Sequence, residues 1–417
     1  MREAHAHIPM FGRELSQLSL AEVRSRQECL ELLREHAREL DAIDPGGTRW
    51  LLANAARVHA WNEPFWPTRA ELDAVCSSRP LVAMSFDHHA LIANSAAFAR
   101  SGIADDTPSP QGGVIERDAS GRPTGLLLES ASWLVRSSIP ELTPQERREA
   151  ILAALDHLAA LGFTEVHDML APDWLGPILS ELDRAGELPM RVELYPLVEN
   201  LPAALASRSA WESPSLRLGG GKLFADGTLN SKTAWLLDSY RTPMPDHPHG
   251  TPLLTVEQLV ESFTMCNQAG VGCAVHAIGD GAVRACLDAH RISPCRLRIE
   301  HCELIHPDDI SRFASQKVTA SVQPCHLLYD IEVLDRELAH VESRVLPIRS
   351  LIASGLTPGT SILFGSDVPI VRPDPDDSIE AAVHRRRVAQ GPAGGPSRCI
   401  NPSEAIDEAT ARACFGF

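Results

Sequence analysis

Apolar positions along this chain follow two rhythms. From about residue 143 onward, spans with apolar residues three and four apart alternate with short, continuously apolar runs. The spacing predicts helices over 144–161, 173–185, 256–269, 281–290, 307–314 and 342–354. The apolar runs predict strands over 163–169, 190–197, 216–224, 271–276, 296–301, 318–322 and 361–364. Residues 3–8 (EAHAHI) add an eighth strand at the start. Continuous apolar strands between amphipathic helices signal a parallel sheet covered on both faces, and eight such units predict an α/β fold of the closed (β/α)8, TIM-like barrel type. A doubly wound open sheet is the alternative, but no GxGxxG joins a strand to a helix.

The second rhythm lies near the start. Leu20, Val23, Leu30, Leu33 and Leu40 predict a helix over 20–40. Residues 44–140 then change texture, with strand-like runs at 50–58 and 80–86, a helix at 68–76 and a turn-rich stretch at 106–122. These read as an α/β insertion after the first βα unit, a lid-like subdomain at 44–140 on a barrel made of 1–43 and 141–417. Asn94 and Glu129 are expected to organise it. The tract GPAGGPS at 391–397 predicts a loop before a last helix over 402–414.

Composition narrows the class. The 417 residues are 44% hydrophobic and 22% charged, ordinary for a globular protein. A formal net charge of −17 disfavours nucleic-acid and anionic-membrane partners, which select for excess Lys and Arg. No apolar run is long enough for a membrane span, and the start shows no secretory signal. The 10 cysteines form no CxxC pair, which suggests reduced, buried thiols and a cytoplasmic setting.

Candidate chemistry sits at the predicted strand ends. On a strand, residues i and i+2 share a face, so His5 and His7 make a chelating pair. Lys222, His276, His301 and Asp367 end later strands. Imidazoles with a carboxylate suit zinc or a similar divalent ion with a position left open for water. Taken singly, each has a plainer reading: frayed N-terminal histidines, hydrogen-bonded structural histidines, a snorkelling lysine. Asp280 reads as a helix N-cap. Asp226, Trp235 and Tyr240 line a pocket or pack a loop.

Together these residues carry a resemblance. EAHAHI at 3–8, DHHALIANS at 87–95, PQGGVIERDASGRPTGLLLE at 110–129, KLFADGTLNSKTA at 222–234, VHAIGDGA at 275–282, IEH at 299–301, SVQPCH at 321–326 and FGSDVP at 364–369 resemble the amidohydrolase superfamily. Within it they are similar to amidohydrolase family 3, the YtcJ-like branch that includes N-substituted formamide deformylase. The resemblance implies that His5, His7 and Asp367 bind one ion and His276 and His301 a second. Lys222 would form a CO2-derived carbamate bridging them. A metal-activated hydroxide would cleave an amide-like C–N bond of a small molecule. Asp367 would act as general base and then acid, with His89 and His326 as candidate oxyanion donors or else structural residues. The same site would serve an ester or lactone, and a metal-free binding protein is the alternative outside the enzymes. Relatives of this type carry a flanking β-sandwich absent from these residues, so a homodimer covering the barrel flank is expected.

Overall fold

The computed structural model describes residues 1–58, 61–85, 90–110, 112–386 and 398–416. The chain divides into two units, Met1–Phe11 with Ile151–Phe417, and Gly12–Ala150.

In the first unit the short apolar runs are parallel strands. Arg2–Ala6, Glu165–Asp168, Arg191–Leu194 and Leu216–Leu218 form one sheet in that order. Gly220–Phe224, Gly272–Ala277, Arg296–His301, Thr319–Val322 and Ile362–Phe364 form another. The span 216–224, expected as one strand, is thus two. The break falls at Gly219, whose N–H donates to Leu194 O at 2.9 Å while its carbonyl accepts from Gly272 N at 2.8 Å. A Cβ on Gly219 would lie 2.5 Å from the Tyr195 ring, and one on Gly220 only 1.9 Å from Gly272 O, so space dictates glycine at both. Beyond the break Lys222 N donates to Pro196 O at 2.7 Å. At the other edge, Asp367 N donates to His5 O and His7 N to Val368 O, both at 2.8 Å. The first strand consequently runs beside the chain that leaves the last.

Helices Leu175–Ala185, Val256–Gln268, Asp280–Ile292 and Pro307–Gln316 cover these strands. Leu179, Phe263, Cys286 and Phe313 share one core with Val192, Val275, Ile299 and Ala320. Three expectations change. The span 342–354 breaks at Pro347, which lacks an N–H and disfavours helix before it. A 3-10 turn ends at Arg344 and a helix covers Ile348–Ala353. The span 402–414 is a 3-10 turn, Pro402–Glu404, then a helix, Glu408–Cys414, begun by the Asp407 cap. Asp280 is not the cap but the first helical residue, and its carboxylate accepts from Leu237 N at 2.9 Å and from Arg344 at 2.7 Å. The loop expected at 391–397 lies outside the described residues.

In the second unit, strands Leu18–Ser19, Leu51–Ala56, Leu81–Ser85, Ala90–Ala93, Pro123–Glu129 and Gly113–Arg117 form a mixed sheet in that spatial order. The turn-rich stretch 106–122 therefore holds a strand of a hairpin. Helix Arg26–Ile43 starts not at Leu20 but after Ser25, whose hydroxyl accepts from Glu28 N at 3.1 Å. Its buried Cys29, Leu30, Leu33 and Ala37 pack with Leu51, Ala53 and Leu72, which assigns the helix to this unit. The unit edges thus fall at 11/12 and 150/151, against the expected 43/44 and 140/141. Asn94 caps helix Ser95–Arg100, and its amide donates to Cys76 O and Arg79 O. Among the described residues no helix is long and apolar enough to cross a membrane, and all ten cysteines are free thiols.

Candidate metal centre

In open and closed α/β sheets alike, ligands gather at the carboxyl ends of the strands. There the structure brings together side chains that the sequence scatters from position 5 to position 367. His5 Nε2 lies 3.3 Å and His7 Nε2 2.9 Å from Asp367 Oδ1. Ligand atoms of these three residues are all within 4.8 Å of one another. The His301 ring is centred 4.9 Å from His5, 4.4 Å from His276 and 5.7 Å from His326. Lys222 is buried, with Nζ 5.1 Å from the Phe224 ring centre. His301 and Asp367 both hold left-handed backbone, φ 72° and 64°, a conformation non-glycine residues adopt at a cost and concentrate at functional sites.

Among the described residues, several polar atoms here are buried without a hydrogen-bond partner: Lys222 Nζ, His7 Nδ1 and His301 Nδ1. An unsatisfied buried polar group costs roughly 1–3 kcal/mol, so a cluster of them calls for something that satisfies them jointly. Their nitrogen and oxygen donors fit a divalent transition ion.

Neighbours fix which nitrogens are bare. His5 Nδ1 lies 2.8 Å from Glu300 Oε2, and since an ionised carboxylate only accepts, Nδ1 carries the proton. His5 Nε2 is then a lone pair facing the carboxylate of Asp367. His276 Nε2 lies 3.0 Å from Gly227 O, which leaves its Nδ1 bare in the same way. Burial lowers His5 to about 4 and His276 to about 3, and lowers His301 as well, so these imidazoles are neutral at pH 7. Burial also brings Lys222 down to about 8, against the pull of Glu300 and Asp367. Burial works against an ionised Asp367, but His5, His7 and His326 outweigh it and hold the carboxyl well below the usual range.

His326 stands apart. Its Nδ1 lies 3.2 Å from Glu303 Oε1 and its Nε2 3.8 Å from Asp367 Oδ2. Burial opposes its charge, yet Glu303 and Asp367 raise it to about 9. Of the remaining candidates, His89 lies outside the described residues. Asp226 packs a loop: it accepts from the N–H groups of Trp235, Ile278 and Gly279 at 2.8, 3.0 and 2.8 Å. Tyr240 is buried with its hydroxyl on Ala234 O at 3.0 Å.

Three supporting residues escaped the sequence reading. Glu3 Oε1 accepts from His5 N at 3.0 Å and Ser366 N at 2.9 Å, pinning the two histidine- and aspartate-bearing segments together. Arg298 donates to Glu300, to Ala4 O at 2.6 Å and to Ser321 Oγ at 3.0 Å. The signal available was charge inside otherwise apolar strands, in REAHA and RLRIEH.

Known proteins share this arrangement of chain. A profile of the amidohydrolase family matches residues 1–414. The YtcJ protein of Bacillus subtilis is 29% identical over 97% of this chain and 76% of its own. The N-substituted formamide deformylase of Arthrobacter pascens is 26% identical over 98% of this chain and 76% of its own. The crystal structure of an uncharacterized metal-dependent hydrolase from Pyrococcus horikoshii matches with a TM-score of 0.76 at 26% identity, covering 98% of this chain and 78% of that one. The chain belongs to the amidohydrolase family, in its family 3 branch.

Proposed function

We propose that the chain is a metal-dependent hydrolase that cleaves an amide-like C–N bond of a small organic substrate at the strand ends of a closed (β/α)8 barrel. The barrel reading is supported by the hydrogen bonds that join Lys222 to Pro196 and His5 and His7 to the 367–368 segment. The observation that carries the metal reading is the facing of bare acceptors. A lone pair on His5 and a carboxylate oxygen 3.3 Å away repel unless a cation or proton lies between them.

His5, His7 and Asp367 would hold one ion, and His276 and His301 a second, with zinc suited to the donor set. When bound, such ions supply Lewis acidity toward a carbonyl and lower the pKa of water toward neutrality. Lys222, with its depressed pKa, is available as the neutral amine. Adding to CO2, it forms one N–C bond, releases one proton and becomes a carboxylate donor amid the imidazoles. Asp367 takes a proton from the attacking water and returns it to the leaving nitrogen, so amide and water give carboxylic acid and amine. His326, whose Nε2 lies 3.8 Å from Asp367 Oδ2, would donate to charge developing on the carbonyl oxygen.

The test is release of amine from simple formamides and acetamides by zinc-loaded protein, set against esters of matched leaving-group pKa. Faster cleavage of the amides supports the reading. Cleavage of esters alone overturns its C–N assignment.

A further inference from the structure

We infer that the substrate carries an uncharged apolar group, received by a cavity that opens beside His7. This rests on the hydrolase reading above and adds to it a substrate class. The cavity has a volume of about 340 Å³. Pro9, Met10, Leu170, Pro172 and Leu197 wall it, and His7 and Asn200 are its polar members. Among the described residues no aspartate, glutamate, lysine or arginine lines it. His7 belongs to both places, since its Nε2 lies 2.9 Å from Asp367 Oδ1. A group held in the cavity is thus one side chain away from the candidate general base.

The walls are fixed before any ligand arrives. Asp168, buried at a strand end, accepts from Ile8 N at 2.7 Å with one oxygen and from Leu170 N at 3.0 Å with the other. One carboxylate therefore sets the spacing between the helix that carries Pro9 and Met10 and the turn that carries Leu170 and Pro172. The two prolines stiffen both walls further. Ala171 N donates to Tyr195 O at 3.2 Å, anchoring the turn to the next strand.

Size and chemistry then select the occupant. An apolar cavity of about 150 Å³ accepts a benzene ring, so this one has room for an aryl group with a short linker or for a branched alkyl chain. A charged group would shed part of its hydration there and find no counter-charge among the described residues. An apolar group gains about fourfold in affinity for each methylene buried.

The test uses the intact, zinc-loaded protein and a homologous series of ketones, 2-butanone through 2-octanone, which carry a carbonyl and cannot be hydrolysed. Calorimetry should find dissociation constants falling by about fourfold per added carbon until the cavity is full. Met10→Lys and Leu170→Gln, each placing a polar group in the wall, should flatten that slope while zinc content stays at the wild-type level. A flat slope in the wild type, or an unaltered slope in both variants, overturns the cavity assignment even if amides are hydrolysed. A steep slope that both variants abolish, in protein that cleaves no amide, upholds the cavity and overturns the hydrolase reading instead.

Discussion

Glu300 Oε2 and His5 Nδ1 lie 2.8 Å apart inside the protein, and Arg298 grips the same carboxylate from its other side. Burial works against the Glu300 anion, but Arg298 and then His5 outweigh it and hold its pKa well below the usual carboxylate range. The pair fixes the His5 tautomer and so decides which nitrogen faces Asp367. Partners of this kind tune metal affinity by roughly 10- to 100-fold. Glu300→Gln should lower zinc affinity by about that factor, read as ion retained after dialysis against a chelator. Thermal unfolding of the zinc-free protein, measured alongside, separates this from simple destabilisation.

Lys222→Ala should lose bound metal, because a buried donor amid the histidines is removed. A short carboxylic acid supplied in solution should restore part of it. Metal content and the mass of the intact chain, with and without bicarbonate, check this. Unchanged metal loading in the variant would remove Lys222 from the centre.

Gly220→Ala should destabilise the fold, since the new methyl would sit 1.9 Å from the carbonyl oxygen of Gly272. Overpacking costs about 1–3 kcal/mol, and here the obstacle is backbone with little freedom to move. Denaturant titration of the variant against wild type gives the loss directly.

The alternation of strand and helix is legible in the sequence because strands buried on both faces read as unbroken apolar runs, as in GCAVHA at Gly272–Ala277. Boundaries are less legible where a single polar contact sets them. The helix after Ser25 begins where a hydroxyl meets Glu28 N, and apolar spacing does not register that. The candidate metal ligands are legible as histidines, lysine and aspartate at strand ends. Glu3, Arg298 and Glu300 are not, because each has a partner hundreds of positions away in sequence: Glu3 on Ser366, Arg298 on Ala4, and Glu300 on His5. A charge in an apolar strand looks like an error until the fold supplies its counterpart.

Glu337 gives a pH-dependent prediction. Burial disfavours its charge, but Thr242, Lys232 and Arg336 outweigh that and lower its pKa from 4.5 to about 2. Lys232 Nζ lies 3.0 Å away, and Thr242 N donates to it at 3.0 Å. A depressed carboxylate contributes stability that is full above the unfolded value of 4.5 and fades as pH falls toward 2. Glu337→Gln should therefore unfold at a lower temperature than wild type at pH 7, and the gap should narrow between pH 4.5 and 2. A gap independent of pH would assign the loss to packing.

We propose that His5, His7, Lys222, His276, His301 and Asp367 together grip divalent ions. Metal content per chain by mass spectrometry, for protein purified with zinc and bicarbonate, tests it most directly. The wild type should hold one or two ions tightly per chain, and His5→Asn and Asp367→Asn should lose them. A wild-type chain that folds normally and retains no ion under these conditions would contradict it.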